Sequence, residues 1–127
     1  MQTPPITAAE VLAELEKHVG KSTGIHVRDL FARVTGLVAT AAAQERRARE
    51  LISELRQQGH RICGKPESGY FMAATHEELL ETCDYLRRRA LTGLVIESQM
   101  RRISMPELLG QINLSLDLNP QEGKPND

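Results

Sequence analysis

Apolar residues recur at intervals of three and four over most of the chain, which is typical of helices that bury one face. This spacing predicts four helices, at about residues 7–19, 28–34, 40–58 and 75–103. Between the third and the fourth, two short apolar runs (60–63 and 69–73) flank turn-forming residues at 64–68, which indicates a β-hairpin. The pattern therefore predicts an α+β fold, mostly helical, with one small hairpin.

Residues typical of helix termini support these boundaries. Thr7 and Thr75 are each followed three positions later by a glutamate, which is the pattern of a capping box. A glycine after each of the first three helices is expected to end it: Gly20, Gly36 and Gly59. Residues 25–27 are predicted to be a short strand or an extended lead-in to the second helix. A short fifth helix around 107–109 is expected to break at Gly110.

The composition is that of an ordinary water-soluble protein. Of the 127 residues, 40% are hydrophobic and 26% charged, and no apolar run approaches the roughly 20 residues that span a bilayer. The first residues lack the basic-then-apolar pattern of a secretory signal. Two cysteines, Cys63 and Cys83, cannot make a disulfide framework. We therefore expect a cytoplasmic protein with no membrane partner.

The net charge is close to zero, but the charges are unevenly distributed. The whole chain has 16 basic and 17 acidic residues, a formal −1, which argues against indiscriminate binding to polyanions. Between Gln44 and Lys65, however, six basic residues stand against three glutamates, a local +3. This concentration predicts a binder with one defined basic face.

The third helix carries most of that charge on one side. Its apolar stripe is predicted to be buried: Ala48, Leu51, Ile52 and Leu55. Its polar side is predicted to face outward: Arg46, Arg47, Arg49, Glu50, Ser53 and Glu54. A polar helix that carries arginines fits the major groove of DNA, although arginine–glutamate pairs on a merely solvated face give the same pattern.

The predicted order of elements is helix, short extended segment, helix, turn, helix and hairpin, which is the order of a winged helix-turn-helix domain. In such a domain the third helix enters the major groove, and the hairpin, or wing, lies against the backbone of the DNA. We therefore predict three parts: a winged helix core over 1–74, a long helical region over 75–110, and a largely disordered tail over 111–127.

The chain also resembles a known family over roughly 10–91. The run RRARELISELRQQGHRIC at 46–63, followed by GYFMA at 69–73, is similar to the recognition helix and wing of small winged helix proteins of phages, prophages and bacterial regulators. The next helix opens on THEE at 75–78, which matches that family's T-x-E-E motif. The turn at 37–43 departs from common repressors by being several residues longer. The resemblance implies the winged helix fold and DNA binding.

Together, the resemblance and the charge pattern predict a site for double-stranded DNA. The predicted contacts on the third helix, with Arg47 foremost, are Gln44, Arg46, Arg47, Arg49 and Ser53. On the wing, Arg61 and Lys65 are predicted to contact phosphates. Of Tyr70 and Phe71, one is expected to brace the wing and the other to lie in the core.

No pattern indicates catalysis, a metal site or a nucleotide site. The run GKS at 20–22 resembles the end of a phosphate-binding loop, but that loop requires a glycine where Leu15 stands. His60 and Cys63 have the spacing of metal ligands without a second pair. Since no Ser/His/Asp or Cys/His set is visible either, we expect neither an enzyme nor a cofactor.

Two further segments suggest protein partners. The long helix has a seam that either pairs with a second copy, giving a homodimer, or packs on the chain's own first helix: Leu79, Cys83, Leu86 and Ala90. Near the end of the chain, polar and apolar residues alternate over 111–116. This run resembles the peptides that bind the sliding clamp in bacterial replication, with contacts through Gln111, Leu114 and Leu116, and it also fits an edge strand.

DNA binding in transcriptional or replication control is therefore the predicted function. The alternative is a winged helix module that binds protein in a replication or regulatory assembly without touching DNA. The near-zero net charge favours this alternative, and the arginine-rich third helix favours DNA. Acidic side chains covering the surface of Arg46, Arg47, Arg49 and Lys65 would favour the interaction module.

Overall fold

A computed structural model describes residues 6–37 and 42–118. There the chain is mostly helical with one two-stranded antiparallel sheet, which confirms the α+β prediction. The elements are α1 (Ala8–Leu15), α2 (Val27–Thr35), α3 (Ala42–Gln57), β1 (Ile62–Lys65), β2 (Gly69–Met72), α4 (His76–Arg101) and α5 (Met105–Leu118).

The chain divides into two units, Met1–Cys83 and Asp84–Asp127, and α4 contributes residues to both. Two predicted features fall partly outside the described residues. Residues 38–41 belong to the long turn predicted before the third helix, and 119–127 belong to the predicted tail.

Helices α1, α2 and α3 pack on one another around the core of the first unit. The apolar stripe predicted for α3 is buried at every position: Ala48, Leu51, Ile52 and Leu55. The other two helices contribute further buried side chains: Val11, Leu15, Leu30 and Phe31. Because isolated helices of this length are marginal in water, the shared burial of these faces is what stabilises them.

Helix α1 begins where its capping box predicts but ends earlier than predicted. Thr7 Oγ1 accepts a hydrogen bond from the Glu10 amide (3.2 Å), which confirms the cap. The last helical residue is Leu15, however, rather than Val19. The predicted end of this helix at residue 19 is wrong, and the side chain of Val19 is 52% exposed.

The early end of α1 has a cause elsewhere in the chain. The Gly20 amide donates to the Met72 carbonyl (2.8 Å), and the Met72 amide donates to the His18 carbonyl (2.7 Å). A longer helix would use these backbone groups of 18–20 for its own hydrogen bonds. Pairing with β2 therefore takes precedence over continuing α1.

The β-hairpin forms where the sequence predicts it, and the loop between α1 and α2 pairs with it. Within the antiparallel register, Cys63 is opposite Phe71. Outside the two strands, Ile25 and Tyr70 exchange both backbone hydrogen bonds (2.8 and 2.7 Å) as an antiparallel bridge. The predicted extended lead-in at 25–27 is thus a one-residue pairing beside β2, directly before α2.

Gly69 permits this close pairing. Its φ is +74°, in the left-handed region that favours glycine. A Cβ there would lie 2.6 Å from the carbonyl carbon and oxygen of Ile25 and 2.8 Å from the His26 nitrogen. Gly36, which ends α2 as predicted, has nearly the same φ of +75°, but a Cβ there would meet nothing within 4 Å. The first glycine is required by conformation and by space, the second by conformation alone.

A buried carboxylate lies near the end of α1. Glu14 is 7% exposed, and its Oε2 accepts a hydrogen bond from His18 Nε2 (2.9 Å). Lys17 Nζ and Arg33 Nη1 lie 3.5 and 4.0 Å from its oxygens. Burial alone would raise the pKa of this carboxyl. The hydrogen bond from His18 and the charge of Lys17 outweigh burial, so the pKa lies below its ordinary value of 4.5.

This lowered pKa predicts a loss of stability in acid. Glu14 stabilises the fold fully above pH 4.5, the ordinary value that applies to the unfolded chain, and its contribution is lost as the pH falls through the lower folded pKa. Glu14→Gln cannot ionise, so the gap in free energy of unfolding between the parent and this variant is expected to narrow on acidification. Urea denaturation over a pH series measures the gap, with Glu16→Gln, an exposed neighbour, as the control. A gap that stays constant would contradict the assignment.

In the second unit, α4 ends and α5 begins in quick succession. Arg102 has a φ of +57°, and the Ile103 amide donates to the Ser98 carbonyl (3.0 Å), as in a Schellman motif. Ser104 then caps α5, since its Oγ accepts a hydrogen bond from the Glu107 amide (3.2 Å).

Helix α5 replaces the short helix at 107–109 and the first part of the tail that the sequence predicts to be largely disordered. It continues through Gly110, so the predicted break there is wrong. The edge-strand interpretation of 111–116 is wrong, because the segment is helical. Binding of this segment to the sliding clamp stays a prediction. The spacing from buried Leu108 to half-buried Ile112 follows the helix period. A helix satisfies its own backbone groups, while a strand needs a neighbour.

Candidate nucleic-acid interface

The exposed surface of α3 carries its polar side chains on two neighbouring lines. The first line consists of exposed residues at steps of three and four: Arg46, Arg49 and Ser53. The second consists of exposed residues at the same steps: Arg47, Glu50 and Glu54. The structure therefore places the predicted helix residues on the outside of α3 but separates Arg47 from the others.

We call the line of Arg47, Glu50 and Glu54 the acidic line. Arg47 Nη1 lies 3.4 Å from the Glu50 carboxylate and 4.0 Å from that of Glu54. One guanidinium against two carboxylates gives this line a net charge of −1. Arg47, the foremost candidate from the sequence, is thus an arginine whose charge its neighbours offset.

Helix α2 adds an arginine to the first line. Glu45 lies between two guanidinium groups, with Oε1 3.7 Å from Arg49 Nη2 and Oε2 3.7 Å from Arg28 Nη2. Arg28 is in the first turn of α2, so the beginning of that helix lies beside α3. We call Arg28, Glu45, Arg46, Arg49 and Ser53 the arginine face. Three guanidinium groups and one carboxylate give it a net charge of +2.

Sequence reasoning missed Arg28. Its side chain is 67% exposed. The order of elements contains the signal that would have found it, because the helix before a recognition helix crosses the phosphate backbone of DNA. A basic residue in the first turn of that helix is therefore a candidate phosphate contact from position alone.

The residues of α3 that are predicted to contact DNA differ in the hydrogen bonds and ion pairs that they form within the protein. Arg46 is exposed and forms no ion pair with any residue that the structure describes. Ser53 Oγ accepts a hydrogen bond from Gln57 Nε2 (3.4 Å). Gln44 is half-buried and has a partner within the chain. Of these, Arg46 is the side chain most available to a ligand.

The hairpin region carries two basic side chains, one of which is exposed while the other forms an ion pair with α4. Arg61, just before β1, is exposed. Lys65, at the end of β1, is half-buried and its Nζ donates to Glu81 Oε2 of α4 (2.7 Å). This hydrogen bond lowers the pKa of Glu81 below its ordinary value. Lys65 therefore points to α4, and the turn at 66–68 carries no basic residue.

Arg56, at the end of α3, ties the helix to the hairpin. Its Nε donates to the Ile62 carbonyl (2.8 Å), and its guanidinium lies 5.6 Å from the centre of the Tyr70 ring. Gly64 leaves room for both groups, since a Cβ there would lie 2.9 Å from the Tyr70 ring and 3.2 Å from Arg56 Nη2. Tyr70 thus braces the hairpin and Phe71 is buried, as predicted.

Glu78 connects the beginning of α4 to the loop between α1 and α2. Its Oε2 accepts a hydrogen bond from the Lys21 amide (3.0 Å) and its Oε1 one from the Ala74 amide (2.8 Å). Its own amide donates to Thr75 Oγ1 (3.1 Å), as in the predicted capping box. The hydrogen bonds from Lys21 and Ala74 lower the pKa of Glu78. No local pattern indicates the bond to Lys21, because that residue is distant in the sequence.

The remaining candidates are distributed over both units. Cys63 is buried, its Sγ donates to the Glu78 carbonyl (3.5 Å), and burial raises the pKa of its thiol. Gln111, Leu114 and Leu116 are exposed on α5. Among the described residues, no group of three or more His, Cys, Asp or Glu side chains could hold a metal ion. The helices of the described ranges include none that is both long and apolar enough to cross a membrane.

Comparison with protein-family models, with curated proteins and with solved structures finds no match. Function must therefore be inferred from the arginine face, the acidic line and the hairpin.

Proposed function

We propose that the chain binds double-stranded DNA through the arginine face, as a winged helix-turn-helix protein acting in transcriptional or replication control. The observation that carries the proposal is that Arg28, Arg46 and Arg49 come together on one exposed surface of α2 and α3. Helix α3 then lies in the major groove. Arg46 and Arg49 are in its N-terminal half, the part of a recognition helix that contacts base edges, and Arg28 contacts a phosphate.

The sheet supports the winged helix assignment. Ile25 pairs antiparallel with Tyr70, so the segment between α1 and α2 adds a one-residue strand beside β2. The order of helix, strand, two helices and hairpin then agrees with the order expected of this domain. The hairpin follows α3 directly and is tied to it by Arg56, so it occupies the place of the wing.

The charges on α3 give DNA a preferred side of the helix. The arginine face carries +2 and attracts phosphates, whereas the acidic line carries −1 and repels them. Helix α3 is therefore expected to enter the groove with Arg46 and Arg49 toward the DNA. Arg47 is expected to contribute less than Arg46, because Glu50 and Glu54 lie beside it.

Arg46→Ala is expected to weaken binding to a fluorescent duplex about tenfold at low salt, and Arg46→Ala/Arg49→Ala to weaken it further, since each removes a groove contact. Arg28→Ala, which removes the proposed phosphate contact, is expected to reduce the slope of log affinity against log salt by about 0.9. Fluorescence anisotropy over a salt series measures both quantities.

Lys17→Ala is the matched control, because it removes one positive charge from the turn that follows α1, where the Lys17 side chain is 72% exposed. It is expected to change the affinity by less than about threefold, since salt screens distant charges. Glu50→Gln is expected to strengthen binding. If Lys17→Ala weakens binding as much as Arg46→Ala does, with both variants folded by circular dichroism, the attraction is diffuse and the arginine face is not the site.

A second candidate is a protein-binding module of a replication or regulatory assembly. Two observations favour it: the acidic line on α3, and the engagement of Lys65 by Glu81. Both reduce the positive charge that a DNA-facing surface would present. The module predicts no binding to duplex DNA even at low salt, which is the result that would replace the first proposal.

A further inference from the structure

The second unit exposes most of its large apolar side chains. Leu108 is buried, whereas nine others are at least 40% exposed: Tyr85, Leu86, Leu91, Val95, Ile96, Met100, Leu109, Leu114 and Leu116. They are distributed over α4 and α5, and exposed apolar side chains that group on one face of a helix mark an interaction surface.

Part of this surface is a stripe along α4. Leu86, Gly93 and Met100 follow one another at steps of seven, which is two helical turns, and Ile96 lies beside them. We call these four residues the α4 stripe. Met100, at 80% exposure, is the most exposed of the large apolar residues in the unit.

Gly93, in the middle of the α4 stripe, is required neither by backbone conformation nor by space among the described residues. It lies inside a continuous helix, its φ is not positive, and a Cβ there would meet nothing within 4 Å. Glycine weakens a helix interior relative to alanine. Because Gly93 has no side chain and lies at the centre of an exposed apolar stripe, it leaves space for the close approach of another backbone.

We propose that the α4 stripe is the interface between two copies of this chain, whose α4 helices pair antiparallel and cross at Gly93. The proposal concerns a surface other than the arginine face and does not rest on DNA binding.

Charge decides the direction of pairing. In a parallel pair, the arginines at 87–89 of one copy would lie beside the same arginines of the other, which is repulsive. In an antiparallel pair that crosses at Gly93, that run instead lies level with 97–99, which begins with Glu97. Leu86 and Met100 are equally far from Gly93 on opposite sides, so each Leu86 lies level with the Met100 of the other copy.

Sedimentation equilibrium of the full chain tests the interface. A reversible dimer is expected, and Met100→Glu is expected to raise its Kd at least about tenfold, because it places a charge between two apolar surfaces. Leu114→Glu is the matched control, on an apolar side chain of α5 that is 62% exposed, and is expected to leave the Kd unchanged. A parent that is monomeric at about 100 μM, well above the micromolar Kd of a weak specific complex, overturns the proposal. Equal weakening by both variants also overturns it.

A comparison of Gly93→Ala with Gly110→Ala distinguishes the effect of alanine on helix stability from its effect on dimer formation. Both glycines are helical with open space at a Cβ. Alanine at either position is expected to raise the folding equilibrium constant of the monomer about two- to fivefold. Only Gly93→Ala is expected to raise the dimer Kd, by about tenfold, because a methyl group there separates the crossing helices. A Gly93→Ala chain that dimerises as tightly as the parent would exclude a crossing at this glycine.

Disulfide trapping tests the direction. Chains carrying Leu86→Cys or Met100→Cys, each with the exposed Cys83 changed to serine, are mixed in air. Disulfide-linked heterodimers are expected, and Leu86→Cys alone is expected to give no linked homodimer. Linked homodimers of Leu86→Cys would indicate parallel pairing and contradict the proposal.

Discussion

Gly69→Ala is expected to lower the free energy of unfolding by about 2–5 kcal/mol, the sum of two effects. The left-handed φ of +74° costs a residue with a Cβ about 1–2 kcal/mol. A Cβ 2.6 Å from the Ile25 carbonyl would also push the hairpin away from the segment that leads into α2, and overpacking of this kind costs about 1–3 kcal/mol. Since the clash is with backbone atoms, no change of rotamer relieves it. Chemical denaturation measures the loss.

Gly36→Ala separates the two effects. Its φ of +75° is nearly the same, but a Cβ there meets nothing within 4 Å, so we expect only the conformational loss of about 1–2 kcal/mol. The difference between the two variants is then the energy of the close approach between Gly69 and Ile25. Equal losses would mean that the hairpin moves away without strain, which contradicts a tightly held hairpin.

Arg56→Ala is expected to lower the free energy of unfolding by about 2–4 kcal/mol. A hydrogen bond from a charged donor, here to the Ile62 carbonyl, contributes about 1.5–3 kcal/mol. The guanidinium over the Tyr70 ring contributes about 0.5–1 kcal/mol more. The hairpin is then expected to loosen from the end of α3. Thermal and urea denaturation measure the stability.

Two further variants test this assignment. Gln57→Ala changes the adjacent, exposed residue and is expected to stay within about 0.5 kcal/mol of the parent. Arg56→Lys keeps the charge but lacks the planar fork, so it is expected to recover only part of the loss. Full recovery by lysine would show that charge alone, rather than the bond from Nε to Ile62, holds the hairpin.

The elements that the sequence predicted well are those with local causes. Helix α2 ends at Gly36, and α3 buries all four positions of its apolar stripe, because spacing and caps within one stretch decide both. The end of α1 was wrong because its cause is distant. The backbone at 18–20 pairs with Met72, and no pattern near Val19 indicates that partner.

The candidate site was predictable in part for the same reason. Helical spacing alone places Arg46 and Arg49 on one line of α3 and Arg47 with Glu50 on the next, whereas the run of charge from 46 to 50 by itself suggests a single group. The partner of Lys65 is different. Its hydrogen bond to Glu81 depends on how the hairpin packs against α4. The sequence therefore suggests a lysine available to phosphates, whereas in the structure Lys65 is paired with Glu81.

Helix α5 begins at a capping box, a local signal that outweighs the glycine inside the helix. Ser104 and Glu107 have the spacing of a capping box just before an apolar run, and the serine does cap the helix. Gly110 and the alternation of polar and apolar residues at 111–116 are local signals that favour a helix break followed by a strand or a peptide. A single glycine costs a helix only about 1 kcal/mol relative to alanine, which packing and a good cap readily offset.

The bonds that fix the loop between α1 and α2 have a consequence for how the protein is made. Lys21 finds its carboxylate partner in Glu78, 57 residues later. At a synthesis rate of about 5–20 residues per second, that partner reaches the nascent chain roughly 3–11 seconds after the loop. Helix α1 and its loop thus leave the ribosome before the residues to which their backbone groups hydrogen-bond in the folded protein have been made. The first unit closes only when its last-made segment returns to its first.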